Sequence, residues 1–218
     1  MISRRAFSGC DSLEKVVIPE SVQKIEKSAL NKVQHVVFHG NPASHVAIAF
    51  IREKPATEYM PDTASYTIRI DLPGNKTVYM PRYVKFDDIY TISDIISKPN
   101  LAIADILTLH AYASSTISKQ EAAILTYSAY KDKAMDESGL IEKQKLYTYC
   151  KRSAKSYVES ILDQNKDKNI VQVLNAGLLS NKALKDLMDE VDENSILRPY
   201  ILETMQKTKH AQLKKFNI

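Results

Sequence analysis

Ile2-Ser3-Arg4-Arg5-Ala6-Phe7 is matched, roughly 23 residues on, by Ile25-Glu26-Lys27-Ser28-Ala29-Leu30. After a contraction of three residues, Leu13-Glu14-Lys15-Val16-Val17-Ile18 is matched by Val33-Gln34-His35-Val36-Val37-Phe38. Self-similarity at a fixed period is the mark of stacked structural units, each of which buries its apolar side against the next. One unit and part of another fall short of the three or so that a stable stack needs. The sequence therefore reads as opening in mid-repeat, and upstream units are expected.

Within these units the apolar residues Ala6, Phe7, Cys10, Leu13, Val16, Ile18, Val22 and Ile25 recur at short, irregular intervals, as in a coil wound around a core. Phe7, Leu13 and Ile18 are expected in its interior. Val16-Val17-Ile18 is β-branched and closed by Pro19, which has no N–H to extend a ladder, so it reads as a short strand. Val36-Val37-Phe38, closed by Gly40-Asn41-Pro42, repeats the arrangement. Alternation sends Val16, Ile18, Val36 and Phe38 inward. Lys15, Val17, His35 and Val37 then line the exposed side, and they are the candidate protein-binding residues.

The run Ala6-Phe7-x-x-Cys10-x-x-Leu13-x-x-Val16-x-Ile18-Pro19-x-x-Val22-x-x-Ile25 resembles the BspA-like type of leucine-rich repeat. The second unit departs from it, with Leu30 in place of the aromatic, the Cys position deleted and Phe38-His39-Gly40 where Ile-Pro is usual. Decay of this kind suits a terminal unit. Gly40 to Phe50 is similar to the short closing helix of such arrays, with Ser44 as its N-cap. The resemblance covers about the first quarter of the chain. It implies a bacterial or protozoan source, the C-terminal end of a repeat array, and binding of protein partners.

Tyr66-Thr67-Ile68-Arg69-Ile70-Asp71-Leu72 alternates, Pro73-Gly74-Asn75-Lys76 supplies turn chemistry, and Thr77-Val78-Tyr79-Met80 alternates again. That pattern predicts an antiparallel hairpin over Tyr66 to Tyr83. An open sheet edge is a template for aggregation, so the hairpin is expected to cap it. Lys54-Pro55-Ala56-Thr57-Glu58 and Met60-Pro61-Asp62 read as the connector.

Beyond Asp87 the spacing turns helical. Helices are predicted over Leu101–Tyr112, Ala122–Met135, Leu140–Leu162, Asn169–Leu174, Asn181–Val191 and Ile196–Phe216, with Ser118-Lys119-Gln120-Glu121 as a capping box. Tyr147, Cys150, Ala154, Tyr157 and Ile161 form one apolar stripe. Gly139 and Gly177 stand at junctions where a left-handed residue ends a helix. Gly177 to Lys182 with Leu184, Leu187 and Met188 resembles a degenerate ankyrin-like helical hairpin, although the Thr-Pro-Leu-His signature is absent. The expected class is α+β: a short leucine-rich repeat solenoid with a β-hairpin cap, then an all-α domain of antiparallel helix hairpins. The corresponding segments are 1–55, 56–86 and 87–218.

A charged fraction of 26% and a hydrophobic fraction of 44% are those of an ordinary folded protein. The net charge of +4 is spread along the length, without the basic stripe that phosphate-backbone binding uses, so nucleic acid is not an expected partner. No apolar run approaches the roughly 18 residues of a membrane span, and no signal-peptide core follows Met1. A complete chain implies the cytoplasm; lost upstream repeats carrying a signal imply the cell surface or secretion. Cys10 and Cys150 have no paired spacing and read as buried thiols.

Chemistry is sparse. His35, His39 and His45 lie close together but lack a neighbouring Cys, Asp or Glu cluster, so solvent-facing histidines are favoured over a metal site. His110 reads as a helix-packing residue. Asp186, Asp189, Glu190, Asp192 and Glu193 do not follow a calcium-loop spacing and read as a solvated helix face. No phosphate loop, nucleophile elbow or paired metal motif occurs, so neither catalysis nor a cofactor is expected. The favoured function is a non-enzymatic protein-interaction or scaffold module. The alternative is a DNA-associated regulatory module that uses the C-terminal helices, with Lys207, Lys209, His210, Lys214 and Lys215 toward phosphate.

Overall fold

The computed structural model describes residues 1–7, 10, 12–30, 33–43, 46–53, 66–164 and 166–216. Ser44, His45 and the connector segments from Lys54 to Asp62 lie outside them. The chain forms two compact units, Met1–Leu146 and Tyr147–Ile218.

The first unit begins with two stacked turns of chain. Ile2 pairs in parallel with Ile25: its N–H donates to the Lys24 carbonyl and its carbonyl accepts from the Glu26 N–H, both at 2.9 Å. Strand β1 (Lys15–Ile18) pairs in parallel with β2 (His35–Phe38), with Lys15 opposite His35, the register that the sequence match gives. Equivalent bends carry both turns. Arg5 and Ser28 sit at the same place in each and take φ of 57° and 63°, a left-handed conformation uncommon for residues with a side chain. A further layer follows, where Ser28 and Leu30 donate to the carbonyls of Ile48 and Ala49 beside the 3-10 turn Val46–Ala49.

Strand β3 (Arg52–Glu53) precedes the hairpin of β4 (Thr67–Leu72) and β5 (Lys76–Pro81), and β6 (Tyr83–Val84) pairs in parallel with β3. Gly74 and Asn75 turn the hairpin with φ of 74° and 56°, a conformation that glycine and asparagine adopt at least cost. Strand β4 pairs in parallel with β2 and antiparallel with β5. The hairpin expected over Tyr66–Tyr83 is therefore present, and it occupies the edge of β2. The result is an open four-stranded sheet in the order β1-β2-β4-β5.

Alternation gives the sheet one apolar side. Ile18, Val36, Phe38, Ile68, Ile70, Val78 and Met80 are buried there, each contributing about 1.5–3 kcal/mol. Two expected core residues differ: Phe7 and Leu13 are only half-buried, as is Val16. Their equivalents one turn later, Leu30, Val33 and Val36, are essentially inaccessible to solvent. The reason is position, since the first turn covers the second and no described residue covers the first. Cys10 is also exposed rather than buried.

Helices close the other side of this unit. Helix α1 (Phe86–Ile96) opens with Asp87 and Asp88 in its first turn, favourable to the dipole. The helix predicted over Leu101–Tyr112 is a shorter α2 (Ile103–Thr108) continued by a 3-10 turn, Leu109–Tyr112. Helix α3 (Thr116–Tyr130) starts earlier than the capping box implied. Ser115 is its N-cap, accepting from the Ser118 N–H at 3.3 Å. Ser118 and Glu121 are instead buried inside it, where Ser118 Oγ donates to the Tyr66 carbonyl and Glu121 accepts from Thr67 Oγ1. The residues read as a cap thus tie α3 to the start of β4. Arg82, fully buried, donates to the Val33 carbonyl at 2.7 Å and links the second turn to the end of the hairpin.

Helix α4 (Glu137–Ile161) spans the division between the units. Gly139 lies in its first turn, not at a left-handed junction, and donates its N–H to Asp136 Oδ1 at 2.8 Å. In the second unit, Cys150, Ala154, Tyr157 and Ile161 of α4 are buried, and α7 (Leu197–Phe216) packs against α5 (Asp167–Asn175) and α6 (Asn181–Glu190). Gly177 ends α5 with φ of 66°, the left-handed residue expected there. Ser180 caps α6 through the Ala183 N–H.

Candidate functional site

The side of the sheet turned away from the core carries two rows of side chains. Register places Lys15, His35, Arg69 and Tyr79 in the first, one from each strand, and Val17, Val37, Asp71 and Thr77 in the second. Lys15 is exposed, Val17 is 48% exposed, and His35 and Val37 are half-buried. The four residues singled out from the sequence thus share one surface. The hairpin adds four more that sequence reading left out, because it assigned the hairpin to capping alone. Their signal was present in the alternation of Thr67 to Leu72, which puts Arg69 and Asp71 on one face.

Asp71 organises this surface. Its Oδ2 stands 2.7 Å from His35 Nε2, and its Oδ1 accepts from Arg69 Nε at 3.0 Å and from Thr77 Oγ1 at 2.9 Å. Partial burial works to raise its pKa, but the hydrogen bonds from Arg69, His35 and Thr77 outweigh it and hold the carboxyl below its ordinary range. The same bond raises Arg69 further, and burial pushes the Tyr79 phenol up. Three strands are thereby cross-linked on their outer side. At the far edge, the Tyr130 hydroxyl accepts from the Thr77 N–H at 3.0 Å, while the Lys133 ammonium sits 4.4 Å from the Tyr130 ring centre. Such a cluster orders side chains on a surface; it presents no activated nucleophile.

Elsewhere two titratable groups, His110 and Cys150, are used in packing. His110 is drawn down to about 4 by burial, and its Nδ1 lies 3.1 Å from the Leu107 carbonyl. Burial pushes the Cys150 thiol up to about 12, leaving it unreactive at neutral pH. His39 is exposed just past β2. Asp186 pairs with Lys155 at 2.6 Å, on the rim of a shallow groove floored by Val158, Leu179, Ala183 and Leu187. Lys207 pairs with Glu203 along α7, whereas the side chains of His210, Lys214 and Lys215 lie outside those described. Among the described residues no group of three or more His, Cys, Asp or Glu could hold a metal ion, and no helix is long and apolar enough to cross a membrane.

No protein-family model, curated protein or solved structure matches this chain.

Proposed function

We propose that the chain is a non-enzymatic protein-interaction or scaffold module whose binding surface is the outer side of the four-stranded sheet, centred on Lys15, Val17, His35 and Val37 and widened by Arg69. The observation that carries the reading is the valine pair on that side, Val17 nearly half exposed and Val37 half-buried. Beside it runs the row of Lys15, His35 and Arg69, of which Asp71 holds the last two in place. Apolar contact flanked by ordered polar groups is the usual anatomy of a protein interface. The residue pattern from Ala6 to Ile25 resembles the BspA-like type of leucine-rich repeat, and on this reading the hairpin is its cap.

Substitution of both valines by glutamate tests the proposal, because each points outward and its change leaves the core alone. Proteins recovered from a source lysate on the parent chain are compared with those recovered on Val17→Glu/Val37→Glu, after the two chains are shown to melt together. Loss of a specific partner on the variant supports the proposal; an unchanged set of partners moves binding to another surface.

A further inference from the structure

We infer that the partner of the outer sheet surface is an acidic protein segment, one that sets a carboxylate on the row of Lys15, His35 and Arg69 and an apolar side chain on Val17 and Val37. The inference rests on the proposal that this side of the sheet is the binding surface, and adds the chemistry of what binds there.

Hydrogen-bonding capacity on the two rows is unbalanced. Asp71 is their single carboxylate, and both of its oxygens are engaged, by His35, Arg69 and Thr77. The groups left over are donors. Among the described residues none pairs with the exposed Lys15 ammonium. Asp71 takes only Nε of Arg69, a side chain 45% exposed, so both terminal nitrogens stand open to a second acceptor. Tyr79 ends the row with a phenol that burial keeps in its protonated, donating form. A carboxylate only accepts, and it is the side chain that answers such a surface. Charge selects the same partner. Lys15 and Arg69 against Asp71 leave the two rows net positive, so an acidic segment is attracted and a basic one repelled.

Arg69 is also prepared for this contact. Its bond to Asp71 fixes the guanidinium plane beforehand, and less side-chain freedom is lost when a second carboxylate docks end-on. The nearby Asp71 charge works against a dianionic phosphate more than against a singly charged carboxylate, which favours Asp or Glu over a phosphorylated residue. Spacing adds the apolar element. The charged row and the valine row are two residues apart along each strand, roughly 7 Å, the same distance that separates alternate side chains of an extended segment. An acidic residue two positions from an apolar one therefore reaches both rows.

A phage-displayed library of random dodecapeptides, panned on the 218-residue chain, reads the partner chemistry directly. Enriched peptides are expected to carry Asp or Glu two to four positions from Leu, Ile, Val or Phe. The strongest binder, made as a labelled peptide, is then titrated by fluorescence anisotropy against the parent, Lys15→Glu, Lys15→Arg and Val17→Ser/Val37→Ser, each first shown to melt with the parent. Lys15→Glu should weaken binding about fivefold and Lys15→Arg should preserve it. The serine pair changes no charge, so it reports the apolar contact alone, and it too should weaken binding. A library that yields no binder, or an acidic peptide indifferent to Lys15→Glu, overturns the inference. Neutral or basic peptides that are lost on the serine pair also overturn it, while leaving the surface itself in place. Peptides that bind every variant like the parent remove both the inference and the surface.

Discussion

His35 on β2 and Asp71 on β4 meet across the parallel strand pair, with Nε2 and Oδ2 2.7 Å apart. The pair fastens the hairpin to the second turn on the solvent side, as Ile70 and Val36 fasten it within the core. Asp71→Asn is expected to weaken the three hydrogen bonds that converge there, at a cost of about 1–2 kcal/mol at pH 7. The pH dependence has a fixed sign. Because the folded-state pKa of Asp71 is held below its ordinary value, near 3.9 in unfolded chains, its contribution is present above that value and is lost as pH falls through the folded pKa. Urea titrations at pH 7 and pH 3 check it. The gap between parent and variant should narrow at the lower pH, and a constant gap would remove the carboxylate from the explanation.

Leu30→Ala should cost about 2–5 kcal/mol, because Leu30 is inaccessible and its loss leaves a cavity. Leu13→Ala, at a half-buried position, should cost roughly half as much, since less apolar area leaves water. Denaturant midpoints for the two variants, measured side by side, give the ratio. Equal losses would mean that the first turn is covered after all.

Ser115→Ala should destabilise α3 by about 1 kcal/mol through its lost cap. Ser118→Ala acts differently, because its hydroxyl donates to the Tyr66 carbonyl at the entrance to β4. Removing it takes away one of the two donors to that carbonyl, which keeps the Arg82 N–H, and empties a fully buried position, at a cost of about 1–2 kcal/mol. Thermal melts that rank Ser115→Ala as the more damaging would restore Ser118-Lys119-Gln120-Glu121 to the capping role.

Gly177→Ala places a Cβ on a residue with φ of 66°, and about 1–2 kcal/mol of stability should be lost from backbone strain alone. No neighbour crowds that position, so packing does not add to it. An alanine variant as stable as the parent would mean that α5 ends in some other conformation.

Local patterns carried much of this fold into the sequence. The match of Leu13–Ile18 to Val33–Phe38 gives the β1–β2 register directly, and strict alternation on both sides of Pro73-Gly74-Asn75 gives the hairpin. Gly177 was legible because glycine takes the left-handed conformation at a helix end with the least strain. What stayed hidden depended on distant partners. Ser118 and Glu121 fit a cap by spacing, yet Tyr66 and Thr67, some fifty residues away, claim their hydrogen bonds. Gly139 looked like a helix end until Asp136 took its N–H. Composition changes near Asp87 where helices begin, but α3 packs on β4 and β5, so the first compact unit runs on to Leu146. For the candidate surface, Lys15, Val17, His35 and Val37 followed from alternation within the repeats. Arg69 and Asp71 joined them only through the pairing of β2 with β4, which no short-range pattern encodes.

The Arg69 amide gives the most direct test, because it donates to the Gln34 carbonyl at 3.0 Å and so reports the β2–β4 pairing on which the whole outer surface depends. Residue-resolved hydrogen exchange under native conditions should find it protected to nearly the same degree as the amides between β4 and β5, opening only with the global unfolding of this unit. Exchange of Arg69 at the rate of an exposed loop, with the β4–β5 amides still protected, would contradict the account: the hairpin would then stand apart from the two turns, and the surface built from both would not exist.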